Sequence, residues 1–228
     1  MKKFIFTIFF VLLSFKSSIV LSAEDLKDIC REKMTNPNVT IVVQFGDIKY
    51  DHTKSKKAIS RIHLNNGGEL KSSKLLNGLS VFERKIGVSV KVTHKKLPSG
   101  INCYYPTEVI FLIGTGEDPV IYIAREIEKD SCVYDVTLRH EQTHQQINQS
   151  VIEHYLPVIK EHLLNVVKKY PVAATKKNIS VEQVSAELTK KYTLDSSSII
   201  EEIKQETLKE QSRLDTMDHY IYDESLCR

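Results

Sequence analysis

His140-Glu141-Gln142-Thr143-His144 is the stretch whose reading decides this chain. On a helix, positions i and i+4 stack on one face, so His140 and His144 point together and can close on one Zn²⁺. Glu141 sits about 100° round from His140, at the lip of that face. There it can take a proton from a water without itself being a ligand. The surroundings are helical in pattern. Val136, His140, His144, Ile147, Val151 and Tyr155 fall within an arc of about 100° at 100° per residue. Pro157 is expected to kink this helix or end it near Leu156.

Upstream the pattern is strand-like. Val39 to Tyr50 reads as one strand, Gly87 to His94 as a half-buried strand, and Thr107 to Ile113 and Val120 to Ala124 as two more. The Gly114 to Pro119 segment reads as a hairpin loop, and the 120–124 strand as an edge. A short helix is expected over 24–34. The basic stretch 51–61 reads as a solvated loop or a helix's outer face. Downstream, Ser180 with Gln183 forms a capping box that opens a helix to about Tyr192. Ser198 with Glu201 opens another, reaching Ile221 or Tyr222. The expected class is therefore α+β: a mostly antiparallel N-terminal sheet, then the H-E-x-x-H helix and a helical C-terminal half. One domain is expected over 24–228, strand-rich over 24–132 and helical over 133–228.

Met1-Lys2-Lys3 followed by the apolar run Phe4 to Phe15 has the form of a signal peptide, with a cut after Ala23. Lys16 interrupts it, and a retained anchor is the alternative. Lys2, Lys3 and Lys16 would leave with the leader while no Asp or Glu does, so the formal +3 becomes zero. That charge gives no case for nucleic acid as a partner. No membrane span is expected after the leader. The location expected is exported, periplasmic or secreted. Four cysteines behind a leader argue for disulfides. Of the three pairings, Cys103 with Cys132 is favoured because they bracket the expected hairpin. Cys30 with Cys227 would then tie the two ends.

A catalytic zinc takes three protein ligands and leaves one position open. Glu153 lies about 180° round the helix from His144, and His154 and His162 lie too far along it. The third ligand is sought in the last helix, in the cluster Asp215, Asp218 and His219. Asp218 is favoured because it is nearest the apolar stripe Ile200, Ile203, Thr207, Leu214, Met217 and Ile221. His219 is the commoner ligand type. Asp215 stands i,i+4 to His219 and can orient it.

The motif, following a strand-rich segment and preceding a helical half, resembles the zincin metallopeptidases. The stretch Ile121-Tyr122-Ile123-Ala124-Arg125-Glu126, with Ser131-Cys132 and then His140-Glu141, is similar to small exported bacterial proteins grouped with zinc-dependent proteases. Leu214-Asp215-Thr216, Tyr220 and Cys227 share that character. The resemblance covers about residues 119–145 and 213–227. It implies two histidine ligands, a glutamate base, Zn²⁺ as cofactor and a peptide or protein substrate. The metzincin branch is excluded, because the places of its third His and its Gly hold Ser150 and Ile147. Tyr155 or Tyr220 is the expected oxyanion donor, and the 120–124 strand is expected to hold an extended peptide. The alternative is a non-catalytic secreted protein that binds the envelope or a host surface, with a structural metal or none.

Overall fold

The computed structural model describes residues 23–31, 36–70, 75–115 and 118–227. The expected leader falls outside them except for Ala23. The described residues form a mixed α+β structure of six helices and two open sheets. Two helices, α1 (Ala23–Arg31) and α2 (Lys56–Asn65), lie in the first half, and one short strand, β7 (Ala173–Thr175), lies in the second.

The larger sheet is built on β5 (Asn102–Thr115), which is almost wholly buried. Its antiparallel neighbour is β4 (Arg84–Lys96), paired from Arg84↔Thr115 to Lys96↔Asn102 around the Leu97-Pro98-Ser99-Gly100 turn. Parallel to β5 runs β1 (Asn38–Gln44), in register from Asn38↔Glu108 to Gln44↔Gly114. β7 pairs with the start of β5. The smaller sheet has the order β2 (Lys49–Asp51), β6 (Val120–Ile123), β3 (Gly78–Val81).

Three strand expectations are corrected here. Val39 to Tyr50 is two strands in two sheets. β5 and β6 do not form a hairpin, because they too belong to different sheets. β6 is the centre of its sheet and not an edge. Val120-Ile121-Tyr122-Ile123 is a continuous apolar run, which is how a strand covered on both sides reads. Ile121 and Ile123 are indeed buried, packed with Ile59 of α2 and with Ala124 and Ile127.

The central helix α3 (Cys132–Lys169) runs for 38 residues and passes through Pro157 without ending. A mid-helix proline costs about 3 kcal/mol. Beyond it, Ile159 and Leu163 are fully buried against Phe111 and Ile113 of β5 and Ile199 and Ile203 of the next-to-last helix. At roughly 1.5–3 kcal/mol for each such side chain, that packing outweighs the break. Ser131 caps the start, its hydroxyl accepting from the Tyr134 N–H.

α4 (Val181–Asp195) opens on the expected capping box of Ser180 and Gln183. The box expected at Ser198 and Glu201 does not form, because only Ser196 separates α4 from α5 (Ser197–Leu214) and Ser198 is already inside α5. The single last helix expected from Ser198 is broken at Asp215-Thr216. Thr216 caps a new helix, α6 (Met217–Ser225), its hydroxyl accepting from the His219 N–H.

The favoured disulfides are also corrected: the bridges are Cys30–Cys103 and Cys132–Cys227. The argument for Cys103–Cys132 rested on a hairpin that does not exist. Cys103, near the start of β5, meets α1 instead. Two disulfides fit an oxidising compartment. No helix among the described residues is long and apolar enough to cross a membrane.

Candidate metal centre

α3 carries a buried polar stripe where an ordinary helix would carry an apolar one. Thr137, His140, Glu141, Gln145 and Asn148 are all buried. Burying polar groups is unfavourable unless each finds a partner. Gln145 donates to the Ser80 hydroxyl on β3 at 2.5 Å. Gln211 of α5 donates to the His144 carbonyl and to Asn148 Oδ1, both at 3.0 Å, and its Oε1 accepts from His144 Nδ1.

His140 and His144 present their Nε2 atoms to one point, 3.2 Å apart. Asp215 Oδ1 lies 3.3 Å from His140 Nε2 and 3.2 Å from His144 Nε2. The three atoms form a nearly equilateral triangle, and they can hold a metal ion. A tetrahedron with edges of that length has its centre about 2.0 Å from each corner, the bond length of zinc to imidazole nitrogen and carboxylate oxygen. The outer nitrogens are held as a metal site needs. His140 Nδ1 faces Asp223 Oδ2 at 3.2 Å, and His144 Nδ1 faces the Gln211 amide oxygen. An acceptor at Nδ1 keeps the proton there and leaves the Nε2 lone pair for a cation. The Tyr220 hydroxyl donates to Asp215 Oδ1 at 2.9 Å, and its ring stacks on His140.

Charge explains the cohesion of the cluster without a metal. Burial alone would lower the histidine pKa values, but hydrogen bonds to Asp215 and the nearby Glu141 charge raise both above the usual imidazole range. Burial would raise Asp215, yet hydrogen bonds from His140, His144 and Tyr220 hold it well below the carboxylate range. The geometry that gathers two imidazoles around one carboxylate offers the same three atoms to a cation.

Glu141 is 6 % exposed. Burial pushes its pKa up to about 7 against the opposing charges of His144 and His140 and a bond from the Ser80 N–H. A carboxyl group so poised can both accept and return a proton. β3 is pressed against it at Gly78. A Cβ there would stand 2.8 Å from Glu141 Oε1 and 2.7 Å from Thr137 Cγ2, so only glycine fits without a shift.

Of the three third-ligand candidates, Asp215 reaches the histidines. Asp218, the favoured one, is exposed in the first turn of α6 and belongs to neither His/Asp group. Its inward placement assumed one unbroken helix, and the break at Thr216 turns it away. His219 joins a second group with His140 and Asp223, its Nε2 lying 3.8 Å from Asp223 Oδ2. Tyr155 bonds Glu202 of α5 instead of the site, whereas Tyr220 is at it. Gln211, Asp223, Ser80 and Gly78 were not singled out from sequence. One signal for the break was present: Thr216 followed by Asp218 has the form of a helix start.

Comparison of the chain with protein-family models, curated proteins and solved structures finds no match, so the geometry of the site stands by itself.

Proposed function

We propose that this chain is an exported zinc-dependent metallopeptidase-like protein, with His140, His144 and Asp215 as the metal ligands and Glu141 as general base. One observation carries the reading: the near-equilateral triangle of His140 Nε2, His144 Nε2 and Asp215 Oδ1, with edges of 3.2–3.3 Å. A zinc ion held there would supply Lewis-acid polarisation of a water and of the scissile carbonyl. Glu141 takes the proton that the attacking water loses and passes it to the leaving amine. Asp223 and Gln211 orient the two imidazoles, and Tyr220 orients Asp215. The peptide lies along β3, not the 120–124 strand. Among the described residues β3 pairs with β6 alone, and its Gly78 and Ser80 stand beside Glu141. Strand addition at such an edge gives affinity through the main chain. The two disulfides support export.

Elemental analysis of purified, oxidised protein tests this. One zinc per chain is expected in wild type and in Glu141→Gln, and none in His140→Ala or Asp215→Ala. A peptide library should be cleaved by wild type and not by Glu141→Gln. Zinc-free wild type would sink the reading.

A second reading has an observation in its favour. His140 and Glu141 are buried, with the Tyr220 ring stacked on His140. A closed site of that kind suits a structural metal in a non-catalytic envelope or host-surface binding protein. A zinc-loaded protein that cleaves nothing and whose Co²⁺ form shows no exchanging water would favour it.

A further inference from the structure

α6 is held to the molecule in an unusual way. None of its nine residues is buried. Met217, Ile221 and Tyr222 are exposed, so apolar packing does not fix it. Several of its contacts with the body are at the site: Asp223 to His140, and Tyr220 to Asp215 and His140. Its far end is tied by Cys227 to Cys132, the first residue of α3. Cys132 stands about two turns before His140 on that helix. A nine-residue helix is too short to persist unaided in water.

The two histidines are therefore supported unequally. His144 is oriented by Gln211 from α5, a helix anchored by buried Ile199, Ile203, Thr207 and Leu214. His140 is oriented by Asp223 from α6, which has no such anchor. Asp223 is nonetheless well covered, at 18 % side-chain exposure, while Asp218 on the same helix is exposed.

We infer that Asp223 is the positioning residue for His140, and that the Cys132–Cys227 disulfide acts on the metal site by holding Asp223 in place. The inference rests on the metal-site reading above. With the disulfide closed, Asp223 meets His140 Nδ1 and Nε2 is aimed at the triangle. With it absent, α6 frays from Thr216 onward and His140 loses its orienting partner. His144 keeps its own.

Co²⁺ affinity, measured by competition with a chelator and read from the visible spectrum, tests this on the oxidised full chain. Asp223→Ala should weaken binding 10–100-fold, the usual effect of removing a group that orients a ligand. Cys132→Ser with Cys227→Ser should weaken it over the same range. The triple variant should be no worse than the weaker of these two, because both changes remove one interaction. Asp223→Asn keeps an oxygen acceptor and should fall between Asp223→Ala and wild type. Affinity of Asp223→Ala within twofold of wild type, or losses that multiply in the triple variant, would overturn the inference. Wild type that takes up no Co²⁺ would overturn the metal-site reading itself, a result distinguishable from an Asp223→Ala variant that binds as tightly as a Co²⁺-binding wild type.

Discussion

Cys30 and Cys103 are fully buried and lie among Leu26, Leu97, Ile101, Tyr105 and Val172. Cys132 is exposed, and Cys227 follows a helix that buries nothing. The two bridges span similar lengths of chain, 73 and 95 residues. Loop-closure entropy therefore treats them nearly alike. Their surroundings differ. The first adds a crosslink to a place that apolar packing already defines. The second stands in for a core, holding α6 where none of the helix's residues is buried and its contacts include hydrogen bonds and a stacked ring at the site. A disulfide in the first setting contributes to global stability; in the second it contributes to local order at a functional site.

The largest effects belong to the packed side of this contrast. Phe111→Ala, deep under α3 and α5, should lower unfolding free energy by about 3–5 kcal/mol in denaturant titrations. Cys30→Ser with Cys103→Ser should lower it by about 2–5 kcal/mol while leaving Co²⁺ affinity within twofold of wild type. A large fall in metal affinity in that variant would erase the contrast. Gly78→Ala should keep its zinc and its melting point to within a few degrees, yet lose on the order of 100-fold in kcat/KM on a cleaved peptide. The added Cβ displaces Glu141 without touching a ligand. Zinc loss there would place Gly78 with the ligands instead of the base. Tyr220→Phe removes the hydrogen bond to Asp215 and should weaken metal binding by about 1 kcal/mol, roughly fivefold, in the same chelator titration. Ile221→Ala, on the exposed side of α6, should change stability by less than about 0.5 kcal/mol. A greater loss in thermal melts would show that α6 is packed after all.

The features legible in the sequence were those that short stretches decide. His140 and His144 share a helix face because four residues separate them, and Ser180 with Gln183 caps α4 because three do. The mixed class followed from a change of hydrophobic period near Val133. The break at Thr216 was also locally encoded, but the apolar stripe through Met217 and Ile221 argued for continuity. Those two residues turn out to be exposed.

What only the tertiary structure decided was the set of contacts between distant residues. Asp215 stands 75 residues from His140, and Asp223 stands 83. No periodicity carries across such a distance. The partners of β6, the pairing of four cysteines and the choice among Asp215, Asp218 and His219 all depend on which surfaces meet when the sheets and helices pack. The chain alone determined that two imidazoles and a carboxylate sit together on one helix. Packing of α5 across α3, through its buried Ile199, Ile203 and Leu214, determined which acid completes the triangle, because Asp215 caps the end of that helix and a long-range contact is set by apolar burial across the fold more than by the polar residues that make it.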